Sequence, residues 1–524
     1  MTNTLYYDPY DRGIAEQPYP LYARMRDEAP LYYNEEHDFY AVTRHADVKA
    51  GLADHHAFSS ARGDILEMIK QDAPMPPGTF ICEDPPMHSI HRAIVQRIFA
   101  PRRMVGIDDR IRTITQQIFD RLNGRESFDF IADLGAQIPM HVIGVLLGIP
   151  EAYFEEVRDS VDSRLITQDG KPMQIGGDMA MQLDEGFGRF IDWRIENPAD
   201  DIITELLNVD LTDTDGQQRK LSKDELLTFI NILAGAGNET TNKVIGWMGK
   251  VLAEHPDQRR ELVADPRLIP AALDELLRYE PPGPHIARYC TRDTEIAGGV
   301  VPAGSAILLV TASANRDPRV FDQPDVFNIH RNAAAHLTFG HGIHTCIGSV
   351  LARKEAHIVC AELLKRFPQW DVELEHARLL ATSTVRGWET LPAYTSALGK
   401  QQIHERIRVA AAADAAPNAA APASLDGEWT VTVKGPTGPM DSHFSIATQD
   451  GVMQGVQSGD GAVNEVDQID YDSDTGSITW INKIRKPMKM TLTFSGKVDG
   501  DKMDGKVKAG FMGSYPFVAV KQSS

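Results

Sequence analysis

Two hydrophobic periods divide the chain. Up to about Leu398 apolar positions recur mostly at helical spacing; from Leu425 onward they alternate. In the first part, Leu21 to Ala29 predicts a short helix, Phe39-Tyr40-Ala41-Val42-Thr43 a strand, and Asp47 to Ala53 another helix. Pro and Gly break the pattern between Ser59 and Gly78. Helical spacing returns from Ile107 to Phe190, punctuated by Pro139 and Pro150, with a glycine-containing irregular stretch from Arg164 to Met181. Ser222 and Glu225 form a capping-box signature for a long helix closed by His255-Pro256. Val350, Leu351, Ile358, Val359, Leu363 and Leu364 mark a helix over Ser349 to Phe367.

In the second part Trp429, Val431 and Val433 alternate. So do Phe444 and Ile446, then Ile478 and Trp480, then Met490, Leu492 and Phe494, then Phe517, Val518 and Val520. Asp450-Gly451, Thr475-Gly476, Asp499-Gly500 and Asp504-Gly505 are turn dipeptides. This predicts an all-β antiparallel sandwich or small barrel over residues 425–524. Between the two parts, residues 399–424 are rich in Ala with Pro417 and Pro422, and predict a linker, in part helical. The second part carries no cysteine, and its His443 reads as a solvated side chain.

Composition narrows the classes. At 524 residues the chain exceeds the roughly 250–300 at which single cores stop growing, in agreement with two domains. Its formal net charge of -21 argues against nucleic-acid partners and an anionic membrane surface. Cys82, Cys290, Cys346 and Cys360 show no metal-site or redox spacing, which predicts no disulfide framework. Met1 to Pro20 is rich in Tyr, Asp and Pro without an apolar run, so neither a signal peptide nor a membrane anchor is expected there, and a cytoplasmic protein is.

Four stretches carry candidate chemistry. In Phe339-Gly340-His341-Gly342-Ile343-His344-Thr345-Cys346-Ile347-Gly348 one cysteine ends a glycine-punctuated loop and precedes a helix. The free N–H groups of a helix start favour a thiolate there. His88 and Arg92, after Asp84-Pro85-Pro86, are four apart on one helix face, a spacing suited to clamping carboxylates. Ala234-Gly235-Ala236-Gly237-Asn238-Glu239-Thr240-Thr241 puts two glycines inside a helix, at about 1 kcal/mol each. Thr240 is placed to turn its hydroxyl onto the Ala236 carbonyl. Glu275 and Arg278 are three apart and able to pair, ahead of Asn315-Arg316-Asp317-Pro318 and Arg331.

The first stretch resembles the haem-binding signature F-x-x-G-x-x-x-C-x-G of the cytochrome P-450 family, and the others resemble further motifs of that family in the same order. The resemblance covers residues 1–398 and implies a mainly α cytochrome P-450 fold with small β-sheets, in its soluble bacterial form. It implies haem b (iron protoporphyrin IX) with Cys346 as the iron ligand, the metal-binding residue, whose electron donation favours O–O cleavage. Phe339, Gly348 and Ala236 would lie beside the haem, and His88, Arg92, Arg288 and His344 would hold its propionates. Glu239 and Thr240 would deliver protons as the catalytic pair. Ile286, Ala287, Thr384, Val385 and the 59–78 loop would contact substrate, and Glu275, Arg278 and Arg331 would form a buried charge network.

The activity implied is monooxygenation: O₂ and two electrons put one oxygen atom into an apolar terpenoid, steroid, fatty acid or aromatic, and the other leaves as water. No flavin or iron–sulfur motif is present, so a separate ferredoxin and ferredoxin reductase are the expected donors. Arg97, Arg102, Arg103, Arg353 and Lys354 are candidates for docking them on the cysteine side. Two alternatives are a peroxide-driven peroxygenase, disfavoured by Glu239-Thr240, and a non-catalytic haem sensor or carrier with the β-domain as its output or ligand-binding module.

Overall fold

The long helix predicted from the capping box runs unbroken from Lys223 to Glu254 in the computed structural model. The structure describes residues 5–72, 74–99, 106–149, 172, 188, 190–199, 201–382, 384–415, 425–435, 438–449, 452–459, 462–472, 476–484, 490–509 and 514–522. Pro150, Arg102, Arg103, most of the stretch from Arg164 to Met181, the Asp450-Gly451 turn, Thr475 and the 416–424 end of the linker lie outside those residues. The chain divides into two compact units, Met1–Ile403 and His404–Ser524.

In the first unit the Ser222 side chain accepts from the Glu225 N–H and the Glu225 carboxylate from the Ser222 N–H, so both halves of the cap are formed. Around the C-terminal half of the long helix, helices Ile107–Asp120, Ile138–Leu147 and Ser349–Arg366 share one core, in which Ile111, Phe119, Val142, Ile245, Met248 and Val359 are buried. A second core covers its N-terminal half. There Leu226, Phe229, Ile230 and Leu233 meet Phe80 and the Ile94, Val95 and Ile98 face of helix Met87–Ile98. Glycines in the long helix mark close approaches: a Cβ on Gly249 would overlap the Phe130 ring, and one on Gly237 would stand 3.3 Å from Ile143. Gly237 is thus explained by helix packing.

A five-stranded sheet flanks these helices in the order Leu31–Asn34, Phe39–Val42, Ala306–Leu309, Ile286–Cys290, Phe58–Ser59. Its Ile307–Arg288 pairing fixes the strand that carries Arg288. Among the described residues one stretch, Phe130–Leu147, is long and apolar enough to cross a membrane, but 61% of it is buried inside the protein and it forms part of the core.

The second unit is a closed barrel of eight antiparallel strands, from Gly427–Gly435 to Ser514–Lys521, the first pairing with the last. Of the two architectures expected, the barrel is the one formed. Trp429, Val431, Phe444, Ile478, Trp480, Phe494 and Phe517 fill it, with Trp480 stacked on Phe494 at 4.5 Å. Two expectations need correction. Phe517 and Ala519 point inward, whereas Val518 and Val520 are 40% and 43% exposed, so the alternation runs through Ala519 and not through the two valines. Asp504-Gly505 is no turn: it lies within strand Lys502–Ala509, where a Cβ on Gly505 would run into neighbouring backbone.

A candidate haem-thiolate site

The cysteine loop is held by its own backbone. Cys346 N–H donates to the Phe339 carbonyl at 2.8 Å, and Gly340 and Gly342 take φ values of 72° and 77° that a side chain would strain. A Cβ on Gly342 would lie 2.7 Å from the Leu52 carbonyl, and one on Gly348 would meet nothing within 4 Å. Helix Ser349–Arg366 starts directly after Gly348. The Cys346 surface is open to a pocket of about 590 Å³ whose walls include His88, Arg92, Gln96, Gly342 and Thr345. Protein encloses the thiol on its other sides. That burial pushes the thiol pKa up and outweighs the Gly348 and Ser349 N–H groups and the Arg92 and Arg353 charges that pull it down.

Basic groups converge beside the cysteine. The Arg92 guanidinium donates to the Thr345 carbonyl. The His88 and His344 rings lie 4.3 Å apart, centroid to centroid. Burial and the Arg92 charge push the His88 pKa down to about 4; burial, Arg288, His88 and Arg92 push that of His344 down to about 3. Arg288 is 4% exposed and donates to the Ala287 carbonyl. Among the described residues none of these four is within ion-pair distance of a carboxylate. Both ring nitrogens of His88 and Nε2 of His344 are buried without a partner. A half-enclosed basic cluster with buried, unpartnered imidazole nitrogens suits a dianionic guest. The two propionates of a haem match that demand, with Cys346 in reach as a thiolate ligand, so the residues present fit a haem.

On the long helix Thr240 Oγ1 donates to the Ala236 carbonyl at 2.8 Å, as the sequence predicts. Glu239 is 7% exposed. Glu239, Thr240 and Ala236 are not among the walls of the cysteine pocket. Phe339 stacks under the Arg353 guanidinium at 4.3 Å. The expected charge network is present: Arg278 donates twice to Glu275, at 2.6 and 2.8 Å, both side chains fully buried, and Arg331 adds a third bond at 3.1 Å. Of the expected substrate contacts, Ala287 is enclosed in a core cluster with Tyr7 and Phe39, and Val385 lines a separate small cavity with Tyr7 and His285. Gln96 was missed by the sequence reading; its place four residues after Arg92 on the same helix face was the available signal.

The sequence model of the cytochrome P450 family matches residues 151–378. A putative cytochrome P450 123 of Mycobacterium tuberculosis (strain H37Rv) is 36% identical over 389 residues, covering 74% of this chain and 96% of the relative. A putative cytochrome P450 of Bacillus subtilis, YjiB, is 35% identical, with 68% and 89% covered. The solved structure of CYP109Q5 from Chondromyces apiculatus superposes with a TM-score of 0.66 at 32% identity, covering 74% of this chain and 98% of that one. CYP109E1 from Bacillus megaterium, solved with testosterone, gives 0.63 at 29% identity, with 72% and 99% covered. With this fold, a cysteine loop of this shape and relatives this similar, the chain belongs to the cytochrome P450 family and is a haem-dependent monooxygenase.

Proposed function

We propose that the chain binds haem b through Cys346 and hydroxylates or epoxidises an apolar small molecule of terpenoid, steroid, fatty-acid or aromatic type, with electrons from an external ferredoxin and its reductase. The observation that carries the haem assignment is the basic cluster of His88, Arg92, Arg288 and His344 beside Cys346, in which both ring nitrogens of His88 and Nε2 of His344 are buried without a partner. The group, once bound, supplies the activation of O₂. The chain supplies the rest. Cys346 gives a thiolate whose N–H neighbours hold its charge; the iron must offset what burial takes away. The basic cluster fixes orientation through the propionates. Glu239 and Thr240 move protons, Thr240 from a position fixed by Ala236. A steroid-sized ligand is the first class to try, because testosterone and corticosterone occupy the related CYP109E1. Ferredoxin docking on the cysteine side remains part of the reading, but Arg353 and Lys354 are already paired with Asp274 and Asp108 at 2.9 and 2.6 Å, which leaves less of the patch unneutralised than the sequence implies. A cytoplasmic location is part of the same proposal.

The test is spectroscopic. The reduced carbon monoxide complex should show the strongly red-shifted thiolate band, and Cys346→Ser should abolish it; survival of that band in the variant removes Cys346 as ligand. A steroid, terpenoid and fatty-acid library then reports binding through loss of the distal water, and substrate-dependent NADH consumption with a ferredoxin system separates the monooxygenase from a sensor.

A further inference from the structure

His91 sits one residue before Arg92 and about 100° round the helix from it, so it faces away from the Arg92 side of the cysteine pocket. It is 1% exposed. Its Nδ1 lies 2.9 Å from both carboxylate oxygens of Glu83; its Nε2, 3.5 Å from Glu225 Oε1, is buried without a hydrogen bond. Its ring packs edge-on against Phe229 at 5.2 Å. These partners come from different elements. Glu83 ends the turn Phe80–Cys82 that leads out of the expected substrate loop. Glu225 is the capping residue of the long helix, and Phe229 lies one turn further along it.

The loop is seated at the same place by two more contacts. Phe80 packs edge-on against the other side of the contact, Phe229, at 5.3 Å. Gly78, with φ of 84°, lies so close to the first turn of the long helix that a Cβ there would stand 2.9 Å from Glu225 Cα. Beyond Glu83, Asp84 accepts from Ser59 Oγ and the Ser60 N–H. Of these contacts, those of His91 join three elements: from the helix bearing His88 and Arg92 it hydrogen-bonds Glu83 at the end of the loop and packs on Phe229 of the long helix.

We infer that His91 is a latch: hydrogen-bonded to Glu83 and packed on Phe229, it holds segment 78–84 against the long helix and ties that contact to the helix that carries His88 and Arg92. The inference deepens the monooxygenase reading, on which the description of the preceding 59–78 segment as a substrate loop rests. His91 is a positioning residue, since it acts through Glu83. Segments beside active-site loops belong to the readily opened parts of a fold, so one buried hydrogen bond to Glu83 is enough to change how often this one opens.

The test uses the full, haem-loaded chain and hydrogen exchange read peptide by peptide. His91→Phe keeps a ring against Phe229 but offers no N–H. Glu225 keeps Arg219 and Ser222, and Glu83, with 17% of its side chain exposed, can turn to water, so the fold has no orphaned buried charge. Loss of a buried bond to a charged group should speed exchange in 78–84 by about tenfold or more. Helix Ile269–Tyr279 should exchange as before, and the carbon monoxide band should persist. A steroid that binds the parent should bind the variant more weakly. Glu83→Gln, which keeps an acceptor without the charge, should fall between the two. Unchanged exchange in 78–84 overturns the latch. So does equal acceleration in 269–279, which would make His91 a general stabilising residue. A parent without the carbon monoxide band sinks the monooxygenase reading instead, and the exchange result still decides the latch.

Discussion

Thr240 Oγ1 and the Ala236 carbonyl share a 2.8 Å hydrogen bond across one turn of the long helix. The hydroxyl proton is committed to that carbonyl, which leaves the oxygen's lone pairs able to accept. For the proposed proton delivery, Thr240 in this state can accept a hydrogen bond; to donate its own proton it must leave Ala236. Thr240→Ala should therefore bind substrate nearly as tightly as the parent but waste electrons as peroxide. Positioned proton-transfer groups contribute about 10²–10⁴-fold. Thr240→Ser restores the oxygen and should recover most of the product formed per NADH. Equal yield from Thr240→Ala and the parent would take this residue out of proton delivery.

The buried pair Glu275–Arg278 makes a stability prediction. Arg278 also donates to the carbonyls of Asn315 and Pro324, so it ties the helix Ile269–Tyr279 to the segment before the cysteine loop. Arg278→Leu leaves a fully buried Glu275 with Arg331 as its remaining cationic partner. Breaking a buried pair in this way costs about 3–5 kcal/mol. The variant should melt well below the parent and lose haem on mild heating. Glu275→Gln with Arg278→Leu should recover part of the loss, because the buried charge is gone; a double variant no better than the single one would mean that Arg278 acts through its carbonyl bonds.

How far the sequence reaches differs between the two units. In the first, Ser222, Glu225, Cys346, Glu275 and Arg278 announce their local structure, because caps, helix starts and charged pairs at three-residue spacing are short-range devices. The partners of His91 were not legible: Glu83 is eight residues away and Glu225 lies on another helix, and only folding brings them together. In the barrel, strands Val452–Gly459 and Lys502–Ala509 escaped notice because their inward positions are Gly455, Gln457 and Gly505 as well as apolar residues. Gly455 and Gly505 make room for Phe444 and Phe517, and Gln457 accepts from Trp480 and Asn482 at 3.2 and 3.0 Å. A core filled from one side by large aromatics asks for small residues on the other, and that breaks the alternation by which strands are recognised.

The cap of the long helix predicts a pH dependence. Burial pushes the Glu225 carboxyl up, but two bonds from Arg219 and the Ser222 N–H outweigh it and hold the pKa at about 2, against an ordinary 4.5. A depressed carboxyl gives stability that is fully present above the ordinary value and is lost as pH falls toward the folded one. Arg219→Met should thus lower the melting temperature at neutral pH, and the gap to the parent should close between pH 4.5 and 2, where both proteins protonate Glu225. A gap that stays constant through that window would assign the effect to packing by the Arg219 stem.

The boundary between the units can be placed by truncation. The sequence alone puts the end of the haem unit near Leu398 and a linker from residue 399. In the structure the segment Ala397–Ala415 is one helix whose first turns belong to the haem unit. Gly399 packs so tightly that a Cβ would run into the Glu126 carbonyl; Ser127 Oγ donates to Gln402 at 3.2 Å; Ile403 is 5% exposed. Burying one isoleucine is worth about 1.5–3 kcal/mol, and the helix cannot persist when cut after its third residue. A chain ending at Gly399 should therefore melt below the full chain, whereas one ending at Ala415 should match it in haem loading and in its carbon monoxide spectrum. The eight-stranded piece from Leu425 closes its own sheet and buries its own core, so alone it should give a β-type circular dichroism spectrum and a cooperative melt. Equal stability of the two truncated chains would show that Ile403 and Gln402 contribute nothing to the haem unit. Loss of haem from the chain ending at Ala415 would show that the barrel is needed to complete it.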